Sequence, residues 1–271
     1  MAAAGCSPGS APRASVIVAC GGAGLRYRES LPADTTEHAG VKQGDTDKQF
    51  LLLAGKPVLA YTLDVLENHP LVEMVVLVLP QDMLDRGKAM VDGLWPTESS
   101  RRYQKVAHIV AGGEDRQSSV ANGLKALAGI GWEGLVLIQD GVRPNTSPQV
   151  YDRVIQGVLE KGNAVAAIRL RDTLKRTDGD GLVLGTVDRH GMWQIQTPQG
   201  FRMHEIHAAY EEGRKRRLQA TDDASLVEAM GRPVHLVEGD PANIKLTYPS
   251  DKALLEALIM HRSMGIDIGM W

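Results

Sequence analysis

Short apolar runs recur along this chain, each followed by a stretch with helical spacing, and that alternation limits the fold more than any other feature. Residues 15–20 and 74–79 are continuous apolar runs, as expected of parallel strands covered on both faces. Further strand patterns fall at 106–110, 134–139, 163–170, 233–237 and 243–247. Between them, helical spacing covers 57–68, 82–93, 115–128, 148–160, 203–213, 223–230 and 249–261. Strands alternating with helices predict an α/β fold: a mostly parallel twisted sheet flanked by helices. Residues 171–192 break the rhythm. They are polar and contain glycine, and they predict a protruding β-hairpin arm. Residues 1–14 read as a disordered leader, 15–262 as the folded domain, and 263–271 as a tail. A polar, aperiodic insertion covers 28–47, longer than most connections in compact domains.

Composition narrows the class. Of 271 residues, 43% are hydrophobic and 23% charged, enough apolar material for a sizeable core. A net charge of -3 gives no basic bulk for nucleic acid, so an anion site must be local. The two cysteines, Cys6 and Cys20, make no disulfide framework, which points to a reducing cytoplasm. Only small residues precede Cys6, not the apolar run of a secretion signal, and no stretch reaches membrane-spanning length.

In open parallel sheets, ligands bind beyond the carboxyl ends of the strands, and several polar groups fall there. The first apolar run ends in Gly21-Gly22-Ala23-Gly24 and Arg26. Glycines let backbone N–H groups approach phosphate and the arginine neutralises it, although a tight turn with a surface arginine looks the same. There is no G-x-x-x-x-G-K-[ST] loop, and Tyr27 stands where a dinucleotide fingerprint needs its third glycine. Lys48-Gln49-Phe50 follows the insertion, where a solvated lysine is the plain alternative. In the stretch Gly112-Gly113-Glu114-Asp115-Arg116-Gln117-Ser118-Ser119, Asp115 has the character of a helix cap. Asp140 ends an apolar run and precedes Arg143, so it is placed to hold a metal or a hydroxyl, or only to pair with Arg143. Lys245 lies inside Asn243-Ile244-Lys245-Leu246-Thr247, where a strand lysine would protect a sheet edge.

Together and in order, these motifs resemble the cytidylyltransferases that act on methylerythritol phosphate, over about residues 15–262. The likeness is carried by the turn ending in Arg26, Lys48-Gln49-Phe50, the Gly-Gly-x-x-Arg-x-x-Ser-Val stretch and Asp140-x-x-Arg143-Pro144. It continues through Asp172-Thr173-Leu174-Lys175, Thr186 to Arg189, Gln196 to Gln199 and Asn243 to Lys245. The resemblance implies a Rossmann-like nucleotidyltransferase in which Arg26 and Lys48 are the catalytic cations at the CTP triphosphate. It implies that Cys20, Gly21, Gly22, Gly113, Glu114 and Ser119 read the cytosine, and that Asp140, Arg143, Thr197 and Lys245 line the sugar-phosphate pocket. Thr173 and Arg189 would reach that pocket from the partner subunit of a homodimer joined through the arm. Mg²⁺ would be held mainly by the CTP phosphates, with no protein metal site. Neither nucleic acid nor membrane is implied as a partner. Ribitol 5-phosphate is the alternative acceptor, and a nucleotide-binding module without activity is the rival from another class. Where the family has Ala-Ala-Gly, this chain has Cys20-Gly21-Gly22; Tyr27 replaces a methionine, and the 27–47 gap is long.

Overall fold

The computed structural model describes residues 13–20, 27, 30, 47–94 and 102–263. The leader through residue 12, Gly21, Gly22, Arg26, nearly all of the 28–47 insertion, and the tail beyond 263 lie outside them. Among the described residues, a seven-stranded sheet is built from β1 (Ala14–Ala19), β4 (Val72–Leu79), β5 (Val106–Ala111), β6 (Leu135–Asp140), β7 (Asn163–Arg169), β10 (Trp193–Arg202) and β11 (Leu236–Glu238). Its order is β11-β7-β10-β6-β1-β4-β5. β1 lies parallel to both β4 and β6, with Val16 opposite Val75 on one side and Leu137 on the other. The strand order therefore reverses at β1, the kind of position at which open α/β sheets bind ligands.

The α/β class is borne out. β1, β4 and β6 are apolar over most of their length because helices cover both faces of the sheet. Alternate residues of β1 divide between two cores: Val16 and Val18 face one side, Ile17 and Ala19 the other. The first core is closed by α1 (Val58–Asn68), α2 (Leu84–Val91) and α4 (Pro148–Lys161), through Leu59, Leu63, Met90, Tyr151 and Val154. The second is closed by α3 (Arg116–Gly129), α5 (Met203–Arg216) and α6 (Asp223–Glu228), through Val120, Leu124, Ile206 and Leu226. A third cluster joins Leu53 of the short strand β2 (Leu52–Leu53), which pairs with β3 (Lys56–Pro57), to Val142, Leu246 and Leu255 of α7 (Asp251–Ser263). No helix among the described residues is long and apolar enough to cross a membrane.

Two expectations need correction. Residues 243–247 form no strand: the Leu246 N–H donates to Val142 O at 2.9 Å, closing onto the turn after β6 rather than joining a ladder. Lys245 is therefore not edge protection. Sequence pattern also missed β10, which inserts antiparallel between β6 and β7. The arm takes the expected form, a hairpin of β8 (Leu174–Thr177) and β9 (Val183–Val187). It carries Leu182, Val183 and Leu184 at 53–67% exposure, a large apolar surface for a two-stranded ribbon.

Candidate active site

Asp140 is the last residue of β6, where an apolar strand core gives way to a turn. It is only 5% exposed, yet three cations meet its carboxylate. Lys245 Nζ lies 3.0 Å from Oδ2, Arg143 Nε 3.2 Å from the same oxygen, and Arg116 Nε 3.1 Å from Oδ1. Burial opposes the charge, but Lys245, Arg116 and Arg143 outweigh it and hold the carboxyl well below the usual range. The plain alternative for Asp140, an ion pair with Arg143, is thus present, but as one arm of a three-cation cluster.

The turn is fixed from several sides. Asp140 N–H donates to Thr197 Oγ1 at 3.1 Å, so the antiparallel β10 brings Thr197 under the site. Arg143 NH1 donates to Asn243 O at 2.7 Å. Asn243 is fully buried; its Nδ2 donates to Thr197 O at 2.8 Å, and its Oδ1 accepts from Thr146 Oγ1 at 2.8 Å. The irregular backbone at 243–247 exchanges ladder bonds for these, which is how Lys245 comes over Asp140. Gly141 permits the close approach: a Cβ there would run into Cys20 Sγ. Cys20 is buried at the end of β1, and burial, with the charge of Asp140, pushes its thiol up to about 12. It is a packing residue rather than a nucleophile.

A second group sits where β5 passes into α3. Ser119 Oγ accepts from the Gly113 N–H at 3.1 Å and donates to Asp115 O at 2.7 Å. Asp115 is a helix cap, as its alternative reading expected: it accepts from Ser118 N–H at 2.7 Å in a reciprocal capping box. Gly113 is required because a Cβ would strike Ser118 Oγ. Glu114 is exposed beside it. Backbone N–H groups of this turn are engaged within the fold, Gly112 with Leu79 O and Asp115 with Ser118 Oγ.

Lys48 stands on a single 3-10 turn, Lys48–Phe50. Phe50 enters the core beneath it and buried Gln49 donates to Met83 Sδ, while Lys48 Nζ lies 5.9 Å from the Tyr27 ring centre. Thr173 and Arg189 are exposed on the arm, and an Arg189 guanidinium N–H donates to Arg171 O across its base. Of the sequence-predicted residues, the fold therefore gathers Asp140, Arg143, Thr197 and Lys245, with Cys20 packed below. Gly113 and Ser119 form the adjoining turn. Lys48 stands apart from them on its 3-10 turn, and Thr173 and Arg189 on the arm. Arg116 was legible only as part of a motif, and Asn243 likewise; nothing in the sequence singled out Asp223, which Arg116 grips from the other side.

The pattern of the family IspD, 2-C-methyl-D-erythritol 4-phosphate cytidylyltransferase, matches residues 38–261. The chain belongs to this family. It is 41% identical over 217 residues to the family's enzyme from Geobacter metallireducens, spanning 80% of this chain and 90% of that one. Against the Syntrophus aciditrophicus member, identity is 38% over 249 residues, 92% of this chain and 96% of that one. The fold agrees with solved members. The 4-diphosphocytidyl-2C-methyl-D-erythritol synthase of Anaerococcus prevotii superposes with a TM-score of 0.72 at 29% identity, covering 92% of this chain and 99% of that one. The Thermus thermophilus cytidylyltransferase gives 0.64 at 32% identity, over 79% and 94% of the two chains.

Proposed function

We propose that this chain transfers CMP from CTP to 2-C-methyl-D-erythritol 4-phosphate, releasing pyrophosphate, and that the acceptor phosphate binds over Asp140. The observation that carries the proposal is the charge balance of the cluster. Arg116, Arg143 and Lys245 face Asp140 and Asp223, three cations against two carboxylates, leaving one positive charge on the cluster. A surplus cation held in place by buried carboxylates suits a phosphate that must approach a triphosphate.

In the proposed step, an acceptor phosphate oxygen attacks the α-phosphorus of CTP. A new P–O bond forms, the bond to the bridging oxygen breaks, and its electron pair leaves with pyrophosphate. The attacking oxygen is already anionic, so no general base is needed. The barrier lies in bringing two polyanions together and in charge gathering on the α-phosphoryl group, which fixed cations offset. Lys48 and Arg26 take that role on the triphosphate. The backbone at 20–22 and the turn of Gly113, Glu114 and Ser119 take the cytosine. Arg143, Lys245 and Thr197, oriented by Asp140, take the acceptor.

Among the described residues, no three His, Cys, Asp or Glu side chains gather to hold a metal, and both oxygens of Asp140 are engaged by cations. Mg²⁺ would enter with CTP, held mainly by its phosphates, and would neutralise phosphate charge there. The apolar arm supports a homodimer in which Thr173 and Arg189 serve the neighbour's site. A cytoplasmic location, with neither nucleic acid nor membrane as partner, belongs to the same proposal. The test is pyrophosphate release from CTP with each acceptor in turn. Turnover with methylerythritol phosphate well above that with ribitol 5-phosphate is expected; the reverse order would reassign the acceptor.

A further inference from the structure

Arg116 opens α3 and divides its guanidinium between two carboxylates. Its Nε–H donates to Asp140 Oδ1 at 3.1 Å, while NH1 and NH2 fork onto Asp223 Oδ1 and Oδ2 at 3.1 and 2.7 Å. The Arg116 side chain is 27% exposed, whereas Asp223 is completely buried. Tyr210 of α5 is a second holder of Asp223: its hydroxyl donates to Asp223 Oδ1 at 2.5 Å.

Asp223 is itself rigidly placed. It sits in the first turn of α6, whose cap is Asp222, accepting from Ser225 N–H at 3.1 Å. Gln199 of β10 clamps that turn by donating to Asp222 Oδ2 at 2.8 Å and accepting from Ala224 N–H at 3.0 Å. Two residues before Gln199 on the same strand, Thr197 holds the Asp140 backbone. One strand thus sets both ends of the relay from Asp140 through Arg116 to Asp223.

For stability alone, a buried ion pair is a poor device, since apolar residues of similar volume often do as well. A bidentate fork does something apolar residues cannot: it fixes the plane of the guanidinium and hence the direction of the remaining Nε–H. That N–H points at Oδ1 of Asp140, leaving Oδ2 to Lys245 and Arg143. Released from Asp223, the Arg116 fork is free to turn onto Asp140 and compete for Oδ2.

We infer that Asp223 is a positioning residue for the acceptor pocket: by clamping Arg116, with Tyr210 as second holder, it fixes the Asp140 carboxylate that Lys245 and Arg143 share. The inference rests on the reading of that pocket given under Proposed function. It separates the two substrates, because Gly113 and Ser119 hold each other without the Arg116 side chain.

Asp223→Asn keeps the volume and leaves the Asp222 cap in place. It is expected to raise the acceptor KM about tenfold, the worth of one charge-assisted hydrogen bond, while the CTP KM moves less than about twofold. Tyr210→Phe removes one bond to Asp223 and is expected to move the acceptor KM about threefold in the same direction. In an Asp140→Asn background, Asp223→Asn is expected to add nothing to the acceptor KM, because the group it positions is gone. A merely structural tie between helices would raise both KM values alike, or give the same increment in both backgrounds; either result overturns the inference. If Asp223→Asn does not fold, Tyr210→Phe in the two backgrounds decides by the same criterion. No turnover by the unmodified protein would sink the functional proposal itself. Normal turnover with an unmoved acceptor KM in the variants sinks the positioning role alone.

Discussion

Replacing Asp140 by Asn removes one charge from the centre of the cluster and keeps the shape. Stripping one partner from a buried ion pair costs about 3–5 kcal/mol when the remaining charge is left uncompensated. Here much compensation survives. Arg116 keeps its fork on Asp223, Arg143 keeps the Asn243 carbonyl, and Lys245, with its side chain 30% exposed, can hydrate. The amide oxygen of Asn still accepts one bond. The expected loss is therefore roughly 2 kcal/mol, which in a protein of this size lowers Tm by roughly 4–8 °C. Its pH dependence has a definite sign. The Asp140 carboxyl is held below its unfolded value by Lys245, Arg116 and Arg143 against burial, so its stabilisation is complete above the unfolded value of about 4. It fades progressively as pH falls below that value toward the depressed folded one. Urea midpoints of the two proteins at pH 8, 5 and 3.5 provide the assay. The gap should be constant from pH 8 to 5 and narrower at 3.5. A gap near zero at neutral pH, or one that widens with acid, would refute the reasoning.

Gly141→Ala should destabilise by about 1–3 kcal/mol, the usual range for overpacking, because the new methyl meets Cys20 Sγ. Adding Cys20→Ala should restore more than half, and thermal melts showing no rescue would contradict that contact. Lys48→Ala and Arg26→Ala should each lower kcat on the order of 100-fold with the fold intact, as for a lost transition-state partner; near-normal kcat would remove the residue from the catalytic set. Mixing inactive Arg189→Ala chains with inactive Lys48→Ala chains should partly restore activity, since one site of each mixed dimer carries neither defect. No recovery after confirmed subunit exchange would assign the arm to its own subunit.

The parts legible in the sequence were those where one physical demand dominates. Strands β1, β4 and β6 are buried on both faces, so their apolar runs stand out, and the amphipathic helices that cover them follow the 3.6-residue period. β10 was hidden because its inner positions, Gln196, Thr197 and Gln199, serve the site and its supports rather than the core. Residues 243–247 mislead in the opposite sense. Ile244 and Leu246 alternate as in a strand, but they pack into the small third cluster while the backbone bonds to the turn after β6. Asp140, Arg143 and Lys245 could be named from motif order, whereas their meeting depends on contacts 100 residues apart in sequence, as between Arg143 and Asn243. Asp223 gave no signal, because an acid in the first turn of a helix is ordinary and its partner lies 107 residues away.

The claim that an acceptor phosphate oxygen attacks CTP is tested most directly by isotope. Methylerythritol phosphate bearing ¹⁸O on its phosphate oxygens should be turned over with unlabelled CTP and Mg²⁺, and both products examined by mass spectrometry and phosphorus NMR. Attack on the α-phosphorus predicts a cytidine diphosphate product with ¹⁸O in its P–O–P bridge and pyrophosphate without label. Label in the pyrophosphate, or a product lacking the bridge, would contradict the account.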